Sequence, residues 1–399
     1  MRPTITSRLG TWFVAMAAAL AVTVTAAAGC GVWSASAEPV AIVIGVDIDL
    51  TGPGPGVAYG NALRLSAEQV NERQLAGADR RVELRVLDNR GDAAQSAQNL
   101  AMLAADPDVV AVVTAGCAQC VIDVAGSLSV PVVALSGEEA VAAPVAERRW
   151  VFRLGPNAAD DADVLSAAMA RAGVDTVGVI TADDSYGRDG ARWFGLAAER
   201  DGVEVAVTVE VPAAPSEAEL ADIAATLLDA GSRASTVDRE DESPDAVLLW
   251  TYALPAGQVA QALRAAGYRG ELYADMIAAD ELFGPGPLAG ARLVATPTAV
   301  AAERIAASPA AAVRQEWVLA YVSRYGGYHL QATWAADALL VLANAVLRAD
   351  STDRGAVRAR IESTRIDGIT GPIRFTAEQH SGLLPGALVI LTATGDRWQ

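Results

Sequence analysis

From residue 39 onward the chain alternates short apolar, β-branched runs with longer stretches whose apolar positions recur every three or four residues. Residues 40–46, 82–87, 109–113 and 132–135 predict buried strands. Between them, 59–75, 93–105 and 120–128 predict helices, with Leu63, Ala67 and Val70 on one face of the first. Pro107 and Pro131 fall just before strands, where a missing amide donor does little harm. This rhythm builds a parallel sheet covered by helices.

The rhythm then restarts. Helices over 161–172 and 187–200 are stopped by Gly173 and Gly202, and strands follow over 176–181 and 203–211. Ser216 and Glu219 form a capping box ahead of a helix with Leu220, Ile223, Leu227 and Leu228 on one side. The polar stretch 231–244 reads as a solvated surface loop; 246–252, a helix to Ala266 stopped by Gly267, and 271–274 complete a second βα series. Beyond Val294 helices dominate: Ser308 caps one that has Pro309 in its first position and ends at Gly326-Gly327, and 332–347 is strongly apolar. The tail returns to β-rich runs at 373–376 and 387–391. The expected fold class is α/β, with two Rossmann-like lobes, each with a parallel sheet. The halves join near 153–157, and a chain that crosses between them more than once makes a hinge. Residues 40–153 plus about 297–380 form the first lobe, and 154–296 plus about 381–399 the second.

The first thirty residues read differently. Arg2 and Arg8 precede an apolar run over 12–28, which ends in Ala28-Gly29-Cys30. This is the pattern of a lipoprotein signal peptide over 1–29, with Cys30 the acylated first residue of the mature protein and 30–39 a tether. Ala27 stands where a lipobox usually has Leu, so a secretory signal cut after a small residue, or an uncleaved anchor, are the alternatives. Each places the body of the chain outside the cytoplasm, where chemistry that consumes ATP or NAD has no supply; no cofactor is expected.

Thirty basic residues, every one arginine, face 48 acidic ones, for a net charge of −18. That balance opposes nucleic-acid binding. Cys117 and Cys120 form a Cys-x-x-Cys pair after the third strand. A local disulfide is the leading reading and two free thiols the other; the thioredoxin setting of an exchange enzyme is missing. Metal binding is weaker, because no second cysteine pair exists and His329 and His380 stand far off. Asp47 and Asp49 follow the first strand and read as residues that cap or solvate its loop. No Gly-x-Ser-x-Gly elbow and almost no histidine argue against an enzyme.

Certain strings, taken in order, carry a resemblance. They are Leu50-Thr51-Gly52-Pro53 with Ala58-Tyr59-Gly60, Leu87-Asp88, Val151-Phe152-Arg153, Asp184-Ser185-Tyr186-Gly187, and Asp367-Gly368-Ile369-Thr370-Gly371-Pro372. The chain resembles the type I periplasmic binding proteins, in particular the branched-chain amino acid receptors of ABC transporters, over nearly all of 40–399. The resemblance implies a monomeric, two-lobed receptor that closes on a small ligand and delivers it to a membrane permease. In such receptors, loop hydroxyls and amides hold the ligand carboxylate, an acidic residue holds the ammonium, and rings line the cleft. The resemblance puts Asp275 in the acidic role and Tyr59, Tyr186, Tyr252 and Trp334 in the ring positions. Ala118, Gln119, Ser136, Glu138 and Glu139 then occupy the carboxylate side. A bland alternative accompanies each: Asp275 as a helix cap, the tyrosines as half-buried rings.

The departures are on the carboxylate side. Ala118-Gln119-Cys120 replaces a serine-rich stretch, and Ser136-Gly137-Glu138-Glu139-Ala140 stands where Ala and Thr are usual. The family's cysteine after the second strand is missing, with Gly91 near its place, which favours pairing of Cys117 with Cys120. An amino-acid-like ligand is therefore the leading expectation and a cationic or neutral amide ligand the alternative. A ligand-sensing subunit for a membrane signalling protein is the reading from another class.

Overall fold

The computed structural model describes residues 38–399 apart from 53, 235–242 and 280–284, so the expected signal peptide and Cys30 lie outside the described residues. The first series runs β1 (Val40–Ile48), α1 (Gly56–Glu72), β2 (Arg80–Asp88), α2 (Ala93–Ala105), β3 (Val109–Ala115), α3 (Ala118–Val124), β4 (Val132–Leu135) and β5 (Val151–Leu154). These strands form a parallel sheet in the order β2-β1-β3-β4-β5. β3 and β4 are buried throughout, as continuous apolar runs in a parallel sheet should be. β2 corrects the expectation of a buried strand: it is the sheet edge, largely half-exposed, and carries Arg80, Arg81, Glu83 and Arg85.

The second series is α4 (Ala158–Ala172), β6 (Thr176–Ala182), α5 (Ser185–Asp201), β7 (Glu204–Val211), α6 (Glu217–Ala234), β8 (Ala246–Trp250), α7 (Ala253–Ala265), β9 (Glu271–Ala274) and β10 (Arg292–Ala295). Its sheet has the order β14-β13-β10-β9-β8-β6-β7, parallel except for β13 (Val389–Thr394) and β14 (Arg397–Trp398). Gly173 and Gly202 both take φ of 78° at the ends of α4 and α5, the left-handed cap that only glycine adopts freely. The capping box closes as expected: Ser216 donates through its amide and hydroxyl to Glu219, and the Glu219 amide donates to the Ser216 hydroxyl. The loop expected over 231–244 is corrected at its start, because α6 runs on to Ala234, a nucleated helix extending cheaply over a single glycine; 235–242 lie outside the described residues.

Two short strands escaped the sequence pattern. Val151-Phe152-Arg153, placed at the crossover, are three of the four residues of β5, and β10 spans only Arg292–Ala295. Arg153 interrupts the apolar run of β5, which hides it within the crossover, and β10 opens on Arg292 with only three apolar residues behind it. After β10 the chain forms α8 (Pro309–Tyr325), α9 (Ala332–Ala349) and α10 (Arg354–Ile361) against the first sheet and its helices. Ser308 accepts the Ala311 amide, and Gly326 ends α8 at φ 81°. α9 is apolar on nearly every side because it is buried against α1 and β3, β4 and β5. A small hairpin, β11 (Arg365–Asp367) and β12 (Pro372–Arg374), leads back to β13 in the second sheet.

Buried Arg153 binds these crossings together. Its Nε donates to Ser381 Oγ at 3.2 Å, and its Nη1 donates to the carbonyls of Ser136, Gly155 and Pro156. Asp47, expected to cap a loop, is instead a fully buried strand residue. It accepts Ser96 Oγ at 2.6 Å, Asn99 Nδ2 at 2.8 Å and Thr114 Oγ1 at 2.9 Å. Asp49 does cap its loop, accepting the amides of Thr51 and Gly52.

Candidate functional site

Parallel strands end in loops and helix N-termini at one edge of the sheet, and ligands collect there. The ends of β3 and β4 from one lobe and of β8 and β9 from the other line a cavity of about 520 Å³, closed at its sides by α1, α4, α5 and α9. That volume suits a small molecule.

Asp275 follows β9 and is buried. Its carboxylate accepts the Tyr186 hydroxyl and, at 3.4 Å, the Ile277 amide, so it is both a cap for the turn at Met276–Ala278 and a wall of the cavity. Burial pushes its carboxyl up to about 6, against the pull of the Tyr186 hydroxyl and the Ile277 and Met276 amides. Beside it stands Asp161 of α4, only 4% exposed, with no hydrogen-bond partner at Oδ1. Burial first, then the charges of Asp275 and Asp160, hold Asp161 well above the usual carboxylate range.

Glu138 enters from the loop after β4. Partial burial raises it, as do Asp189 and Asp184, which belong to the facing lobe. Asp189 of α5 also lines the cavity and is raised chiefly by burial. The Tyr252 hydroxyl donates to Asp184 at 2.7 Å.

Rings surround these acids. Tyr186 lies 5.5 Å from Tyr252 and 6.3 Å from Trp250, and Tyr59 lies 6.4 Å from Trp334, centroid to centroid. Trp250 packs so closely on α5 that a Cβ at Gly190 would come within 2.3 Å of its indole nitrogen; only glycine allows that approach.

On the expected carboxylate side two backbone amides are already engaged. The Glu138 amide donates to Ser136 Oγ at 3.1 Å, and the Cys120 amide to Cys117 Sγ at 3.2 Å. The Cys117 and Cys120 sulfurs lie at disulfide distance, with Cα atoms 5.3 Å apart. Ala118, Ser136, Glu138, Tyr59, Tyr186, Tyr252, Asp275 and Trp334 all line the cavity. Gln119 and Glu139 do not, which corrects their placement. Gln119 turns along α3 to donate to Asp123 at 2.6 Å, and Glu139 opens the turn Glu139–Val141. Its charge is felt by Arg153 and Asp160.

A family model described as periplasmic binding protein matches residues 41–396, which is nearly the whole described chain. The chain belongs to the type I periplasmic binding protein family. Among solved structures, this binding protein is similar to an extracellular ligand-binding receptor from Rhodopseudomonas palustris HaA2, with 23% identity and a TM-score of 0.73 over 90% of this chain and 99% of that one. It is also similar to a protein from Rhodospirillum rubrum assigned to a branched-chain amino acid ABC transporter, at 25% identity and TM-score 0.68, covering 90% and 99%. An ABC transporter substrate-binding protein from Desulfitobacterium hafniense in complex with Leu aligns at 16% identity and TM-score 0.70, again over 90% and 99%. The first and last of these likenesses show the fold alone. No curated protein matches the chain.

Within this binding protein, sequence reasoning missed Asp161, Asp189, Trp250, His329 and Gln331 as cavity residues. Asp160-Asp161 in the first turn of a helix is an ordinary complement to the helix dipole, and Trp250 at a strand end reads as core. α4 starts at Ala158, earlier than expected, and Asp161 within it lines the same cavity as Asp275.

Proposed function

We propose that the chain is the extracytoplasmic solute-binding subunit of an ABC transporter. The lobes close on a small ligand, hold it without turnover and present it to a membrane permease. The observation that supports this most is the cavity between the two strand-end edges, lined from one lobe by Tyr59, Ser136, Glu138 and Trp334 and from the other by Tyr186, Trp250, Tyr252 and Asp275. A ligand that touches both walls binds the closed form better and shifts the hinge equilibrium toward it. Asp275 takes the ligand's positively charged or hydrogen-donating group, and the rings add cation–π and apolar contact.

Export and a lipid anchor at Cys30 complete this reading, as does a Cys117–Cys120 disulfide that fixes the loop entering α3. Solution scattering of the purified protein tests it: a bound solute should compact the two lobes, and an unchanged envelope with every solute that binds would refute closure. Cys30→Ser should release the protein from the membrane fraction or leave a precursor; unchanged fractionation without lipid labelling of the parent refutes the anchor.

A further inference from the structure

The cavity wall is acidic on both lobes. Glu138, Asp161, Asp189 and Asp275 all line it; among the described residues no guanidinium lines it, although Arg192 pairs with Asp189 at 4.0 Å and buried Arg153 acts on Asp161, and His329 is the one basic ring. Asp161 is the most informative of them. It is buried, and its Oδ1 has no partner within the protein, so a hydrogen-bond donor on the ligand is what would complete it.

Two of the amides that could receive a carboxylate are engaged, and an acid stands beside them. Ser136 Oγ takes the Glu138 amide, and Cys117 Sγ takes that of Cys120. The Glu138 side chain lines the cavity from this side, with Asp189 and Asp184 near enough in the other lobe to raise it beyond what its burial does. Closure therefore brings like charges together across the cleft, and a cation between them removes that opposition.

Resting on the solute-receptor reading above, we propose that the site selects a protonated aliphatic amine that carries no carboxylate. Asp161 and Asp275 receive the ammonium, and Glu138 with Asp189 excludes anions and favours a second positive group.

Calorimetry and scattering with putrescine, butylamine and leucine test this. Both amines should bind and compact the protein, while leucine does neither. Asp161→Asn, which keeps the shape of the side chain, should weaken putrescine by about 30-fold or more. Glu138→Gln, at a half-exposed position that folding tolerates, should weaken it in the same direction and keep the test open if the buried variant does not fold. Leucine binding as tightly as the amines, or putrescine affinity unchanged in Glu138→Gln, overturns the amine assignment. Leucine binding with compaction would leave the receptor reading intact, whereas failure of all three probes to bind overturns the amine assignment alone. The receptor reading falls only if bound solutes leave the lobes open.

Discussion

Two sets of buried aspartates sit near the ends of parallel strands, and they are built in opposite ways. Asp47, at the end of β1, accepts three side-chain hydrogen bonds from Ser96, Asn99 and Thr114. At the cleft Asp275 has one tyrosine hydroxyl and the amides of Ile277 and Met276 as donors, and Asp161 Oδ1 beside it has nothing. A buried carboxylate saturated by neutral donors holds a fold together; one left short of donors beside a second carboxylate is destabilising unless something else arrives. Satisfaction separates the structural acids from the binding acids, where burial alone does not.

The sharpest way to break this contrast is Asp47→Ala. It strands three buried donors and should lower unfolding free energy by about 3 kcal/mol or more in urea titrations. Asp161→Asn should leave stability equal or raise it, since it removes one of two like charges. Equal destabilisation by both substitutions would erase the distinction. Next in size, Asp275→Ala should weaken ligand binding by about 2 kcal/mol or more, measured by calorimetry, because the ligand's donor is left unpaired.

pH sharpens the same contrast through opposite signs. Asp275 titrates at about 6 in the folded protein against 3.8 as its ordinary value, so between those limits the native state holds more protons than the unfolded one. Stability of the free protein should therefore fall as pH rises from about 4 to about 6. Asp275→Asn should flatten that slope in thermal melts. Putrescine affinity should run the other way, weakening below about pH 6 by up to about tenfold per unit as the carboxylate of Asp275 takes up its proton. Affinity that does not change with pH would show that neither acid meets the ligand. The smallest effects belong to Gln119→Ala and Glu139→Gln, both outside the cavity lining, which should shift affinity by less than about 0.5 kcal/mol.

How far the sequence reached follows from what each signal encodes. Helix ends were legible because Gly173, Gly202, Ser216 and Ser308 act locally, and each does in the structure what its chemistry predicts. The strands β5 and β10, each with an arginine within its four residues, were not, since pairing with distant neighbours defines them. In the site, the family resemblance together with strand-end position led to Tyr252 and Asp275, and both line the cleft. Asp161 and Asp189 lie on helices, where only the packing of α4 and α5 decides which acid faces inward. Gln119 and Glu139 misled because adjacency to Ala118 and Glu138 in the chain says nothing about direction within a turn. Asp47 was taken for a loop residue because β1 continues to Ile48, beyond the apolar run that marked it.

The acids of the cleft are most directly tested by calorimetric titration of putrescine into the parent protein and into Asp275→Asn at pH 7.5. Measurable binding by the parent, weakened about 30-fold or more in the variant while its melting temperature is held or raised, is the expected result. Equal affinity in the two proteins would contradict the role of Asp275 and, with it, the cleft as a site for a positively charged ligand.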